Sequence, residues 1–94
     1  MSFVRVVEFD GVAQERLEEI KRQMEEGGPP EGTNPTELIV LHDADGEKAL
    51  VLVFFETEED YRRGDEVLSS MPDDQVPGRR ASVEKYELFA RRTA

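Results

Sequence analysis

Apolar residues recur along this chain with two different periods, and the switches between them mark out the elements. Phe3 to Phe9 is rich in Val and Phe and stops at Asp10-Gly11, which predicts a strand. Ala13, Leu17, Ile20 and Met24 then fall at i, i+4, i+7 and i+11, with Glu15, Glu18, Glu19 and Arg22 on the other side. That is one apolar stripe at the 3.6-residue period of a helix. Gly27-Gly28-Pro29-Pro30 ends the helix, because glycine accepts the left-handed conformation past its last turn and proline cannot continue it. Residues 27–35 read as a surface loop.

Two further strands follow, Glu37 to His42 and Lys48 to Glu56. Between them Asp45-Gly46 predicts a tight hairpin turn with Gly46 at positive φ. From Ala49 to Phe55 every residue is apolar, whereas a strand with one wet face would alternate, so this strand is expected to be covered on both faces. Thr57 can cap a second helix whose first turn carries Glu58, Glu59 and Asp60, acids that suit the positive end of the helix dipole. Tyr61, Gly64, Leu68 and Met71 form its apolar line, with Val67 beside it, and Pro72 closes it. After a polar connection from Pro72 to Arg79, the last strand runs from Ala81 to Phe89.

The order β-α-β-β-α-β predicts residues 1–94 as a single α+β domain, a ferredoxin-like fold. Right-handed, non-crossing connections favour one four-stranded antiparallel sheet with two helices on one face. The other face would then be bare, although Val4, Val6 and alternate members of the third strand lie on it. A second copy of the same sheet is the simplest cover, so a homodimer is expected.

Composition narrows the partners. Twelve Lys and Arg face twenty-two Asp and Glu, a net charge of −10. A chain so acidic is repelled by phosphate backbones and anionic lipid, which argues against nucleic acid and membrane surfaces as partners. The absence of cysteine excludes disulfides, thiolate nucleophiles and iron–sulfur ligation, and no metal or other cofactor is expected. The opening residues MSFVRVVEFD interrupt any signal-like apolar run, and no segment approaches ~18 uninterrupted apolar residues, so a cytoplasmic location is expected.

The Val-rich first strand, the acidic first helix, the segment ALVLVFFETEEDYRRGDEVL and the terminal VEKYEL together resemble the dimeric α/β-barrel proteins, and within them the antibiotic-biosynthesis-monooxygenase-like (ABM-like) group. The resemblance covers essentially the whole chain and rests on element order and the strand–TEED–helix junction. It implies two sheets packed face to face across a two-fold axis, with a pocket for a small organic molecule between helices and sheet in each subunit. It also implies cofactor-independent oxygenation of an electron-rich aromatic; the competing reading, from a different class, is a binding or assembly domain without turnover. The haem-degrading branch needs an asparagine on the first strand, a tryptophan on the second helix and a later helical histidine. Val7 and Gly64 stand at the first two positions, and the chain has no tryptophan.

Five residues are candidates for the ligand site. Arg5 shares a strand face with Phe3, Val7 and Phe9, where a guanidinium needs a carboxylate partner or can receive an anionic ligand. His42, the only histidine, sits at a strand end, either as a base or as a half-exposed residue bonded to a turn group. Tyr61 and Tyr86 can donate hydrogen bonds into a pocket or pack in the core. Gly64, inside a helix, marks either close approach to the sheet or space left for a ligand. Asp43 and Asp45 read as turn residues, since the later ligands of a calcium loop are missing. Arg62-Arg63 and Arg79-Arg80 read as solvated faces. No set of residues converges visibly on one reaction.

Overall fold

A computed structural model describes residues 2–28, 30–72 and 75–93. Pro29 of the expected helix stop, and Asp73 and Asp74 of the polar connection, lie outside the described residues. The elements are β1 (Phe3–Asp10), α1 (Gln14–Gly27), β2 (Glu37–Asp43), β3 (Lys48–Phe55), α2 (Glu58–Ser69) and β4 (Arg79–Glu87). All four strands form one antiparallel sheet in the order β2-β3-β1-β4, which with this element order fits a ferredoxin-like fold. Each expected element is present, with ends displaced by one or two residues.

The local chemistry accounts for most of the boundaries. At α2 the Asp60 amide donates to Thr57 Oγ1 (3.1 Å), and three acids occupy the first turn. At α1 the Gly28 amide closes the last turn on the Met24 carbonyl (3.2 Å). The β2–β3 hairpin departs from expectation. Asp43 pairs with Lys48, so the loop holds four residues, 44–47, and not two. Asp43 Oδ1 accepts from the Gly46 amide (3.1 Å), and the left-handed residue is Glu47, at φ 51°, with Gly46 outside that region. The carboxylate organises the turn, and the chirality reversal falls one residue later than the Asp-Gly pair implied.

Register assigns the faces. Phe3, Arg5, Val7 and Phe9 of β1 share a face with Ala49, Val51, Val53 and Phe55 of β3, and this face lies under the helices. A β-bulge opposite Glu8–Phe9 pairs Phe9 with Arg80, which brings Arg80 onto that covered face. The core there has two buried clusters, one of Val7, Phe9, Val12, Ala49 and Val76, the other of Val53, Phe55 and Tyr61, with Val51 packed against both. α2 lies close on β1 and β3, whereas α1 stands farther from the strands and has no buried residue.

The opposite face carries Val4, Val6, Ile39, Leu41, Leu50, Leu52, Phe54 and Tyr86. The chain beyond β4 returns across one end of it. Leu88 donates its amide to Ser2 (2.8 Å), and Arg91 stacks over the Phe54 ring (5.0 Å) while pairing with Glu37 (2.7 Å). Val4 and Phe54 are buried within the single chain, Val6, Ile39, Leu50 and Leu52 are half-buried, and Leu41 and Tyr86 are exposed.

Candidate functional site

The distance between α1 and the sheet creates a cleft of about 410 Å³. Its floor is Val7 and Phe9 of β1, Val51 and Val53 of β3, and Leu38 and Val40 of β2. Its roof is the stripe Leu17, Ile20 and Met24 of α1, the same residues whose 3.6-residue spacing marked the inward side of the helix. Leu68 and Met71 close one end, and residues of the loop from Pro30 to Thr36 close another. Two bonds anchor the walls. Arg16 Nη2 donates to the Val76 carbonyl (3.3 Å), and the Thr36 amide donates to the Phe54 carbonyl (2.8 Å). A cleft of this size with a largely apolar lining and a few polar groups has the usual form of a small-molecule site.

Three charged residues line it: Arg5, Arg80 and Glu37. Arg5 is only 3% exposed. Its Nε donates to Asp65 Oδ1 (2.9 Å) and its Nη2 to Ser69 Oγ (3.2 Å), both on α2. Arg80 Nη2 donates to the Leu68 carbonyl (3.2 Å), at the negative end of the α2 dipole, where a cation is stabilised. Its Nε is the one buried side-chain polar atom among the described residues with no hydrogen-bond partner. An unsatisfied buried donor costs roughly 1–3 kcal/mol, so this atom stands out in an otherwise satisfied structure. Glu37 borders the cleft at the start of β2, but it pairs with Phe54 and its carboxylate is engaged by Arg91, which stacks over Phe54 on the other face of the sheet.

Of the five candidates read from the sequence, only Arg5 lines this cleft. Tyr61 is buried edge-on against Phe55 (ring centroids 5.7 Å apart, planes at 77°), with Lys85 Nζ 5.0 Å above its ring. Burial pushes its phenol above the ordinary value, the Asp65 carboxylate adds to the rise, and Arg5 opposes it. Gly64 faces the Phe55 ring, which occupies the space a side chain would need, so this glycine marks close packing and leaves no ligand space. Tyr86 is on the open face of the sheet, half exposed, and donates to Glu84; that bond, with the Glu84 charge, raises its pKa. His42 is exposed and lines an adjoining depression of about 510 Å³ between α1 and β2, beside Gln14, Glu18 and Lys21, which shares Leu17, Ile20, Met24 and Val40 with the cleft.

Arg80 is the residue the sequence reading missed. The Arg79-Arg80 pair looked like a solvated run, and without the bulge Arg80 would lie opposite the helices. The register shift between Glu8 and Phe9 turns it inward. Nothing in the local sequence marks that shift. Among the described residues no group of three or more His, Asp or Glu side chains could hold a metal ion, and no helix is long and apolar enough to cross a membrane. No protein-family model matches the chain, and no curated protein matches it.

Proposed function

We propose that this chain is a homodimeric, ABM-like domain that binds one small, largely apolar organic molecule per subunit and does so without turnover. The observation that carries the binding reading is the cleft: α1 presents a complete apolar stripe to the sheet yet buries none of its residues. In a tightly closed core those side chains would be buried, since interiors pack to crystal-like density. A guest molecule in the cleft would supply the missing contacts.

Turnover would require a base beside the bound molecule. Glu37, which borders the cleft, has its carboxylate held by Arg91 on the Phe54 side of the sheet, Tyr61 keeps its proton at neutral pH and lies outside the lining, and His42 lines the adjoining depression and not the cleft itself. Cofactor-free oxygenation is therefore the weaker of the two readings. The dimeric part of the proposal is supported by the open apolar face.

The neutral fluorophore 1-aminoanthracene tests the cleft directly, because its emission rises and shifts to the blue on leaving water. Saturable enhancement with about one dye per chain is expected. Ile20→Trp, which fills the cleft from the α1 side, is expected to weaken dye binding while leaving the circular dichroism spectrum unchanged. Dye binding unaffected by that substitution would place the guest elsewhere and sink the reading.

A further inference from the structure

We propose that the guest is an amphipathic monocarboxylate, whose carboxylate is received by Arg80 and Arg5 and whose apolar body lies along the α1 stripe. This rests on the binding reading above and adds the chemical class of the ligand. Arg5 and Arg80 start four positions apart along neighbouring strands, since Arg80 pairs with Phe9. Their side chains nonetheless converge, because one reaches the Ser69 hydroxyl and the other the Leu68 carbonyl, on consecutive residues of α2. That end of the cleft therefore holds two guanidinium groups in a chain whose net charge is −10.

Neither arginine is exhausted by the protein. Each guanidinium has five N–H donors. Two of those of Arg5 are engaged by Asp65 and Ser69, and Arg80 Nε has no acceptor among the described residues although it is buried. Asp65 offsets one of the two charges and leaves the other facing the cleft. A carboxylate matches this arrangement. It is planar, accepts through both oxygens, carries a single charge, and forms the strong charge-assisted bonds that arginine geometry favours. The rest of the lining is chiefly Val, Leu, Ile, Met and Phe, which recognises an alkyl or aryl body and offers few donors for a larger polar group. A fully polar acid would leave that surface uncovered.

The test compares decanoate with decanol, which share a chain and differ in the head group, as competitors of bound 1-aminoanthracene at neutral pH. Decanoate is expected to displace the dye at a concentration lower by a factor on the order of ten or more, as a charge-assisted bond in a partly desolvated site implies. Arg80→Met should remove most of that preference. Equal displacement by the two, or displacement by neither, would overturn the carboxylate assignment while leaving the cleft as a binding site. Failure of the dye itself to bind would remove the binding reading and this inference with it. A second measurement needs no substitution. In the ¹H–¹⁵N spectrum of the native chain, the Arg80 Nε–Hε signal is expected to move downfield with decanoate and to stay in place with decanol. An unmoved signal at dye-displacing concentrations of decanoate would place the head group elsewhere and refute the assignment.

Discussion

A methyl group at Gly64 would overlap Cζ and Cε1 of the fully buried Phe55 ring. Helix propensity favours alanine over glycine by about 1 kcal/mol, and overpacking a tight core costs typically 1–3 kcal/mol. The second effect wins here because Phe55 is held by Tyr61 and cannot retreat freely. Gly64→Ala is thus expected to lose about 1–2 kcal/mol in urea unfolding, and a neutral or stabilised variant would show that α2 can lift off the sheet. Glu47 presents the opposite case. Its left-handed φ of 51° costs an L-residue roughly 1–2 kcal/mol, of which glycine's greater freedom when unfolded returns up to about 1 kcal/mol. Glu47→Gly should raise stability by about 0.5–1 kcal/mol, read as a higher denaturation midpoint at constant slope. The sequence signalled a turn at this place through Asp45-Gly46. It could not show that the Asp43 side chain would bond the Gly46 amide and pass the left-handed conformation to Glu47.

Elements were more legible than residues, because each rests on a pattern spread over many positions. Thr57 is the clearest instance: a hydroxyl before three acids and an apolar line predicted a helix start at the position where the cap bond forms. Thr57→Ala should cost about 1 kcal/mol, measured by chemical denaturation, and an unshifted midpoint would mean that the amides find other acceptors. Two features of the site belong to this scale and were not legible. The α1 stripe shows which side of the helix faces inward, but periodicity holds no information on how far the helix stands from the strands, and the cleft is that distance. The bulge opposite Glu8 and Phe9 is likewise a property of the pairing of two strands. Because side chains alternate along a strand, that single register shift decides whether Arg80 meets solvent or the cleft.

For the molecule as a whole, the open face of the sheet decides the behaviour in solution. Val6, Ile39, Leu50 and Leu52 are half buried there, while Leu41 and Tyr86 remain 51% and 52% exposed. Just beyond β4, Phe89 is fully exposed. Burying a Val, Leu or Phe side chain contributes roughly 1.5–3 kcal/mol, so a two-fold pairing of this face gathers several such contributions. The chain's own return across Phe54 covers one end only, and Arg91 with Glu37 forms a polar margin to the apolar area. A self-complementary interface of standard size, ~1,600 Å² in total, is within reach of a four-stranded face. Opposing it is a charge of −10 on each subunit. That repulsion acts over the Debye length, about 10 Å at 0.1 M salt and about 3 Å at 1 M, so added salt should tighten the association, whereas an interface held by ion pairs would loosen. Sedimentation equilibrium at micromolar concentration is expected to give a dimer whose dissociation constant falls as salt rises. Leu52→Glu, which places a new carboxylate in the centre of the face and doubles it across the axis, is expected to yield a folded monomer that still binds 1-aminoanthracene, since the cleft lies on the other side of the sheet. A native chain that stays monomeric at every salt concentration would remove the dimer, and with it the main physical support for placing this domain among the dimeric α/β barrels.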